Sequence, residues 1–298
     1  MKKIAVIGSL NMDLVAVTEV SPKMGETVFG KDFSMFPGGK GANQATAAGR
    51  LGAQVMMFGT VGDDDHGRSL LAELEKNHVD AVHVAERKDA PTGCALIESC
   101  RGQNRIIVIP GANSKTDKSY LEDKMEAILQ ADVILLSMEI PLQSIEYAAE
   151  TLSHQGKTVI LNPAPAVPIP ESLINNTSYI LPNEHEAAIL FNMPEEEALM
   201  NYPNKLLITK GEHGVVYHDG EKPVHIPAAE VNPVDSTGAG DTFAGAFAAA
   251  SAKGMVLKEA VEFAAAAAGL SVEKHGAQSG MPTDEELEAF RSRGKSNE

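Results

Sequence analysis

Short apolar runs alternate with longer, helix-like segments along most of the chain. The runs are bounded by Gly, Pro or Asn, which is typical of buried strands. They occupy residues 4–7, 54–61, 133–137, 158–161, 178–181 and 205–209. Helical spacing of apolar residues predicts helices over residues 41–51, 66–77, 117–130, 142–154, 184–191, 239–253, 257–274 and 283–293. The alternation indicates βαβ units, so we expect a three-layer α/β/α fold with a mostly parallel central sheet and helices on both faces.

Two stretches, residues 18–36 and 92–109, show strand-like patterning without a helix between their strands. Their Gly and Pro turns predict hairpin-like excursions that pair as a small second sheet, inserted at about residues 14–37 and 91–110. An apolar sheet face must be covered, so this sheet is expected to act as a lid over the active site or to contact a partner subunit. Residues 1–298 are expected to form a single α/β domain, with a disordered tail from Gly294.

The composition and charge limit the ligands that the protein can bind. Of the 298 residues, 43% are hydrophobic and 22% charged, as in ordinary globular proteins. The net charge of −16 repels nucleic acid and anionic lipid, so a phosphate group must be held locally by backbone N–H groups and a few cations. No apolar run reaches roughly 18 residues, and the first is too short for a signal peptide. We therefore expect a soluble, cytoplasmic protein with no nucleic-acid or membrane partner.

Cys94 and Cys100 are the only cysteines. They lie six residues apart in an alternating apolar stretch, so strand geometry places them on one face about 20 Å apart, too far for a disulfide. We interpret both as small core or edge residues in a reducing compartment, rather than as a redox or zinc site.

A glycine-rich turn at residues 235–241, Asp-Ser-Thr-Gly-Ala-Gly-Asp, leads into a helix. Phe243 and Phe247 stand one turn apart on its predicted buried side. Glycines let the backbone approach a ligand, and the free N–H groups of the first helical turn converge to form an anion hole. Asp241, beside it, is suited to accept a proton from a substrate hydroxyl. From this segment alone, an equal alternative is that Asp241 only caps the helix and the glycines only make a tight turn.

Two common nucleotide-binding motifs are absent from the sequence. It contains no G-x-x-x-x-G-K-[ST] P-loop, and residues 8–13, after the first strand, lack the G-x-G-x-x-G of a dinucleotide site. A nucleotide must therefore be bound in another way.

Asn11, Asp13 and Lys40 are candidate ligand contacts near the N-terminus. Asn11 and Asp13 follow the first strand, at the end where open α/β sheets bind ligands, and could hold the vicinal hydroxyls of a sugar; they could equally be turn formers. Lys40 opens a helix in the glycine-rich stretch 37–45, where it opposes the helix dipole. This position suggests an anionic or polar partner for Lys40, with a solvated lysine as the alternative.

For two further segments, a purely structural role explains the residues better than a ligand-binding role does. Asn183 and Glu186 follow a strand with the spacing of a capping box. Residues 209–214 join two strands and could be only a hairpin loop.

Taken together and in order, these segments resemble the ribokinase family of carbohydrate and nucleoside kinases, which includes the B-type phosphofructokinase. The resemblance spans essentially residues 3–290, and its most specific parts are Gly-Gly-Lys-Gly-Ala-Asn-Gln at 38–44 and the turn at 235–241. Asn11, Asp13, Glu139 and the stretch 162–166 look most like the ribose kinases of this family. The resemblance implies a ribokinase-like fold and ATP-dependent phosphorylation of D-ribose at O5.

The resemblance also implies roles for individual residues. Asp241 would be the catalytic base, acting with Gly238, Ala239 and Gly240, and the N–H groups of Ala239, Gly240 and Asp241 would form the anion hole. The sugar would be held by Asn11, Asp13, Gly39, Lys40, Gly41, Asn43, Glu139 and Asp241. ATP would meet Asn183, Glu186, Thr209, Lys210, Gly211, Glu212, His213, Gly214 and Gly240, with Glu186 acting through water on Mg²⁺ and phosphate.

A monovalent cation is also implied by the resemblance. K⁺ would be bound beside the anion hole and would activate by ordering a loop; its ligands would be Asp235, the carbonyl of Thr237, Ser271, Lys274, Gly276 and Gly280. One position departs from the family pattern, because Ala265 stands where a His or Asn often faces the nucleotide.

The implied enzyme closes its lid over the sugar and forms a lid-to-lid homodimer. Two alternatives stay open: a kinase of the same family for deoxyribose, fructose or a nucleoside, and a sugar- or nucleotide-binding sensor without catalysis. Few residues can supply a nucleoside's base pocket, since aromatics are 5% of the chain and Trp is absent.

Overall fold

The computed structural model describes residues 2–294. Its strands are β1 (Lys3–Ile7), β2 (Asn11–Thr18), β3 (Gly30–Gly38), β4 (Gln54–Phe58), β5 (Thr60–Gly62), β6 (Val79–Asp80), β7 (Ala85–Arg87), β8 (Gly93–Cys100), β9 (Gln103–Ile109), β10 (Val133–Ser137), β11 (Thr158–Asn162), β12 (Tyr179–Ile180), β13 (Leu207–Thr209), β14 (Val215–His218) and β15 (Pro223–Ile226). Its helices are α1 (Lys40–Arg50), α2 (Asp65–Lys76), α3 (Lys118–Ile128), α4 (Leu142–His154), α5 (Glu171–Asn175), α6 (Glu184–Phe191), α7 (Glu195–Asn201), α8 (Ala239–Ala252), α9 (Leu257–Ser271), α10 (Ala277–Gly280) and α11 (Asp284–Gly294).

The central sheet contains six parallel strands in the order β12-β11-β10-β1-β4-β6. Parallel bridges from Ile180 to Leu206 and from Asn183 to Thr209 continue it into the antiparallel strands β13, β14 and β15. The middle strand β10 is buried along its whole length, which explains its uninterrupted apolar sequence. The predicted α/β architecture is confirmed.

Helices cover both faces of this sheet, and the sheet separates the hydrophobic core into two clusters, one on each face. Successive strand residues point to opposite faces, so Ile4 and Val6 pack with α1, α2, α8 and α9, whereas Ala5 and Ile7 pack with α3 to α7. Phe243 and Phe247, one turn apart in α8, are both buried, as predicted. No helix within residues 2–294 is long and apolar enough to cross a bilayer.

The second sheet, which we call the lid, contains β3, β2, β8 and β9 in that order. β2 pairs with β8 in parallel, and the other two pairs are antiparallel. The predicted small sheet is thus present, but its first strand begins earlier than residue 14. Asn11 and Asp13 are therefore residues of a lid strand and not of a turn after β1, because only Gly8, Ser9 and Leu10 separate the two strands.

Other boundaries differ from the sequence predictions for local reasons. The run 54–61 is divided at Gly59, whose N–H donates to the hydroxyl of Tyr120, and the chain turns there to pair β5 with β7. The helix predicted over 257–274 ends at Ser271, and the loop after it contains the short α10. Gly294, predicted to start a disordered tail, is the last residue of α11, and the rest of that tail lies outside the described residues.

Several short elements were not predicted, among them β6, β7, β15, α5 and α7, whereas β13 and β14 are the two strands expected on either side of residues 209–214. Each of the unpredicted elements is too short to show a clear periodicity. Cys94 and Cys100 lie in β8 as free thiols.

Candidate active site

The glycine-rich turn is fixed by the side chain at its start. Asp235 Oδ1 accepts from the N–H of Thr237 at 2.9 Å, and Gly238 then adopts a left-handed conformation with φ 80°, which favours glycine. Helix α8 begins at Ala239. Within residues 2–294 no acceptor pairs with the N–H groups of Gly240 and Asp241, so these two donors are free for a ligand.

The predicted anion hole needs one correction. The N–H of Ala239 donates to the carbonyl of Ser236 at 3.2 Å, closing the turn, and is not free for a ligand in this conformation. A Cβ on Gly240 would meet no atom within 4 Å, and both Gly240 and Asp241 line a cavity.

The Asp241 carboxylate is held by two amides from helix α1. Asn43 Nδ2 donates to Asp241 Oδ2 at 2.9 Å, and Gln44 Nε2 donates to Oδ1 at 3.0 Å. Asp241 is only 7% exposed. Each amide donates to a different oxygen, so the carboxylate has one orientation at the start of α8. Gln44 was not among the predicted site residues, although it belongs to the glycine-rich stretch that identified Asn43.

A second carboxylate, that of Glu139, follows β10. One of its oxygens accepts three hydrogen bonds. Its Oε2 accepts from Ser9 Oγ at 2.6 Å, from Asn11 Nδ2 at 3.3 Å and from the N–H of Lys40 at 3.2 Å. The other oxygen, Oε1, accepts no hydrogen bond from the described residues, which leaves it for a ligand.

One of the donors to Glu139, Asn11, is itself held in place by Asn113. Asn113 Nδ2 donates to Asn11 Oδ1 at 2.7 Å and to the carbonyl of Leu10 at 3.1 Å, while its Oδ1 accepts from the N–H of Leu10 at 2.9 Å. Sequence reasoning missed both Ser9 and Asn113. Asn113 lies about 100 positions from Asn11, and nothing in its local sequence distinguishes it.

Asp13 follows Asn11 by two residues in strand β2 of the lid and lies close to Glu139. A Cβ on Gly38 would collide with its carboxylate, so the glycine gives Asp13 its space. Burial, and then the charges of Glu139 and Asp241, raise the pKa of Asp13 to about 7, although the charge of Lys40 opposes this shift.

Lys40 is the cation among these carboxylates. The charge of Asp241, followed by Glu139, Glu186 and Asp13, raises the pKa of Lys40 despite its burial. No direct ion pair joins its ammonium group to a carboxylate within residues 2–294, so it is attracted by several anions and paired with none. The direct anionic or polar partner expected for the Lys40 side chain is therefore not found among the described residues, although several carboxylates lie near it. Lys40 follows Gly39, whose φ of 87° favours glycine.

Asn183 and Glu186, the pair with capping-box spacing, form a complete capping box at the start of α6. Asn183 Oδ1 accepts from the N–H of Glu186, and Glu186 Oε2 accepts from the N–H of Asn183, both at 2.8 Å. Both residues also line a cavity of about 200 Å³ together with Lys40 and Asp241. Burial raises the pKa of Glu186. The structural and the functional interpretations of this pair are thus compatible.

A larger cleft of about 530 Å³ continues from that cavity past Thr209, Gly240 and Phe243. Its far walls are mostly apolar and come from α9, the segment 228–233 and β14. Ala265 lies in the wall, so no polar side chain is present at this family-variable position.

The loop 209–214 contributes only part of its side chains to this cleft. Thr209, Gly211, Glu212 and Gly214 line it. Lys210 instead forms an ion pair with Glu195 at 2.7 Å, and His213 is exposed, with its carbonyl contacting His225 Nε2. The structure therefore does not bring these last two side chains to the cleft.

The residues of the implied cation site surround the loop between α9 and α11. Asp235 Oδ2 accepts from the N–H of Gly276 at 2.9 Å. Burial would raise the pKa of Asp235, but hydrogen bonds from Gly276 and Thr237 outweigh it and lower that pKa. A Cβ on Gly280 would collide with the carbonyl oxygen of Ser271 and lie 3.5 Å from that of Lys274. The side chain of Lys274 itself pairs with Glu286 at 3.2 Å.

Comparison with known proteins gives a consistent picture over the whole chain. The family model described as pfkB family carbohydrate kinase matches residues 1–284. A ribokinase of Bacillus subtilis (strain 168) is 46% identical over 293 residues, covering 98% of this chain and 100% of the relative. A solved ribokinase from Thermotoga maritima has a TM-score of 0.91 at 35% identity, covering 98% of this chain and 100% of that structure. The structure of Arabidopsis thaliana ribokinase complexed with ribose and ATP has a TM-score of 0.90 at 33% identity, covering 97% and 98%.

Proposed function

The chain belongs to the pfkB family of carbohydrate kinases, and we propose that it transfers the γ-phosphoryl group of ATP to the 5-hydroxyl of D-ribose. The observation that carries this proposal is the juxtaposition at the start of α8. Asp241 is oriented by Asn43 and Gln44, and the free N–H groups of Gly240 and Asp241 lie beside it. A base and an anion-binding site next to each other are what phosphoryl transfer to a hydroxyl requires.

In the transfer step, an oxygen of Asp241 accepts the proton of the 5-hydroxyl. The sugar oxygen forms the new bond to the γ-phosphorus, and the bond from that phosphorus to the bridging oxygen breaks and releases ADP. The N–H groups of Gly240 and Asp241, with Gly238 setting the turn, stabilise the charge on the transferred group, and Lys40 adds a positive charge.

The sugar is proposed to lie between the lid and α1. Glu139 Oε1, Asn11, Asp13 and Asn43 offer it acceptors and donors, while Gly39 and Gly41 keep the backbone close. A Cβ on Gly41 would lie 2.6 Å from backbone atoms of Gly8 and Ser9, so α1 approaches β1 only because this residue is glycine. The open oxygen of Glu139 supports a hydroxyl-rich ligand here.

ATP is proposed to occupy the cleft that runs from Lys40 and Gly240 to Ala265. The polar end, with Asn183, Thr209, Gly211, Glu212 and Gly214 nearby, suits the phosphates and the ribose of the nucleotide, and the apolar end suits the base. Mg²⁺, when bound, neutralises charge on the phosphates, and Glu186 would act on it through water. The half-buried carboxylate of Glu186, facing the same cavity as Asp241, fits this role.

K⁺ is proposed to be held beside the anion hole by Asp235, Thr237 and the loop 271–280. The carbonyl oxygens of Ser271 and Lys274 lie near Gly280, and the Asp235 carboxylate accepts from the N–H of Gly276 in the same loop; these oxygens are of the kind that would suit a monovalent cation. The carbonyl of Gly276 accepts from Gly280 N–H at 3.3 Å, so it would have to share its lone pairs. Two free thiols and the use of ATP fit a reducing, cytoplasmic setting.

The lid is proposed to pair with the lid of a second copy. Several of its apolar side chains face solvent, including Phe33 at 60% and Ile107 at 64% exposed. A second lid would cover these side chains and exclude water from the sugar site, which limits wasteful hydrolysis of ATP.

The test is a coupled assay of ADP release with ribose, 2-deoxyribose, fructose and a nucleoside, run with and without K⁺. Asp241→Asn should lower kcat by roughly 10²-fold or more and leave ribose binding largely intact, because the proton acceptor is removed while the other proposed sugar contacts stay in place. Asp123→Asn, at an exposed position on α3, is the matched control.

Each result decides a separate point. A kcat for Asp241→Asn near that of the parent would refute the base assignment. Preference for another sugar would change the substrate within the family, and ribose binding without any ADP would establish a sensor instead of a kinase.

A further inference from the structure

A buried chain of amides connects helix α10 to the proposed base. Gln278 Nε2 donates to Asn43 Oδ1 at 3.0 Å, and Asn43 Nδ2 donates to Asp241 Oδ2 at 2.9 Å. These three residues are only 5%, 6% and 7% exposed, respectively. Because water has little access, removing one donor leaves the next amide unsatisfied.

The direction of hydrogen-bond donation along this chain of amides is determined by the carboxylate at its end. An ionised carboxylate only accepts hydrogen bonds, so Asn43 must turn its NH₂ group to Asp241 and its carbonyl oxygen to Gln278. Among the described residues, the donor to that oxygen is Gln278 Nε2. Gln278 Oε1 has no partner among residues 2–294, so the side chain acts in this network through its NH₂ group.

Helix α10 is held firmly enough to orient this amide. Arg50, at the end of α1, donates from Nη1 to the carbonyls of Gln278 at 2.7 Å and of Met281 at 2.8 Å. A Cβ on Gly238 would lie 2.8 Å from the Cβ of Ala277, so α10 also packs directly against the turn of the anion hole. The same helix α1 that carries Asn43 thus also anchors the partner of Asn43.

We propose that Gln278 is a positioning residue for phosphoryl transfer, which fixes the amide of Asn43 and, through it, the carboxylate of Asp241. This inference rests on the proposed role of Asp241 as the base. It makes the loop 271–280 part of the catalytic apparatus, because the segment that would surround the cation also supplies the donor that orients the base.

The main test is a double-mutant cycle with Gln278→Met and Asn43→Ala. Gln278→Met keeps the length of the side chain and removes the donor, so kcat should fall about 10-fold while the KM for ATP stays unchanged. In the Asn43→Ala background, where the amide to be positioned is gone, the same substitution should change kcat by less than about 2-fold. Gln130→Met, exposed after α3, is the control.

A merely structural role gives a different result. If Gln278→Met lowers kcat by the same factor in both backgrounds, or leaves kcat unchanged in the parent, the inference is wrong. Asp241→Asn is measured in parallel: if it stays active, the proposed role of Asp241 as the base fails, whereas an inactive Asp241→Asn with fully active Gln278 variants overturns only the role of Gln278.

Gln278→Leu serves if the Met variant does not fold. It also removes the donor to Asn43 Oδ1, so kcat should fall about 10-fold in the parent and by less than about 2-fold in the Asn43→Ala background. A Leu variant with the kcat of the parent would contradict the inference.

Discussion

Asp13, Glu139 and Asp241 surround a single cation, Lys40, at the proposed sugar site. The excess of negative charge is visible in Asp13, whose pKa is raised to about 7 by burial, by Glu139 and by Asp241. Such a site costs the ligand-free protein stability, and a sugar that donates hydrogen bonds would relieve the cost. The charge of Asp13 that would bind the sugar therefore lowers the stability of the ligand-free protein.

We predict that Asp13→Asn stabilises the ligand-free protein at pH 8. The folded-state pKa of Asp13 lies above its unfolded value of 3.8, so its contribution to stability is full below pH 3.8 and is lost as the pH rises through about 7. The variant should gain about 2–4 kcal/mol in unfolding free energy at pH 8 and less at pH 5. It should also lose ribose affinity.

Urea unfolding at both pH values measures this gain, with Asp32→Asn, exposed on the neighbouring strand β3, as the control. An equal gain at the two pH values, or none at pH 8, would show that the charge of Asp13 is not the cause.

The proposed base, Asp241, and the amides that orient it lie on two different helices, α8 and α1, so the distance between these helices determines the geometry of the site. Small residues allow the close approach. A Cβ on Gly245 would collide with the carbonyl oxygen of Gln44 and lie 2.7 Å from the Cβ of Ala47. The glycine therefore sets how near Asn43 and Gln44 come to Asp241.

Gly245→Ala tests this packing. Alanine normally favours a helix over glycine, but here its methyl group must push α1 and α8 apart, so we expect a loss of about 1–3 kcal/mol in unfolding free energy and a lower kcat. Urea unfolding and the coupled assay measure both. Gly30→Ala, where the nearest atom to a new Cβ lies at 3.5 Å, should have little effect. A stabilised variant with parental kcat would disprove the packing argument.

In the molecule as a whole, the lid exposes apolar side chains on both of its faces. In β9, Ile106 and Ile107 are neighbours that point to opposite faces, and both are more than half exposed. A monomer would leave these residues, and Phe33 and Met35 in strand β3 of the same sheet, in water. The proposed homodimer removes this exposed surface.

The double variant Ile106→Asp, Ile107→Asp places a carboxylate on each face of the lid and should convert a lid-mediated dimer to monomers. Sedimentation equilibrium measures the mass directly. Val82→Asp introduces a charge at an equally exposed apolar residue outside the lid and should leave the mass unchanged. A double variant that keeps the mass of the parent would exclude the lid as the interface.

By itself, the sequence determined the class of fold, the longer elements and the position of the glycine-rich turn at the start of α8. The bounds predicted for α4 and α6 agree with the structure, because apolar spacing over two or more turns is a strong local signal. The glycine-rich segments were likewise recognisable, since a turn with positive φ and a close backbone approach each require glycine locally.

Only the tertiary structure decided which polar groups meet. Ser9 reaches Glu139 across 130 positions, Gln44 reaches Asp241 across 197, and Gln278 reaches Asn43 across 235. The same structure ties the N–H of Ala239 into its own turn. Hydrogen bonds between such distant residues leave no periodic trace in the sequence, because each depends on how whole elements pack and not on the residues beside it.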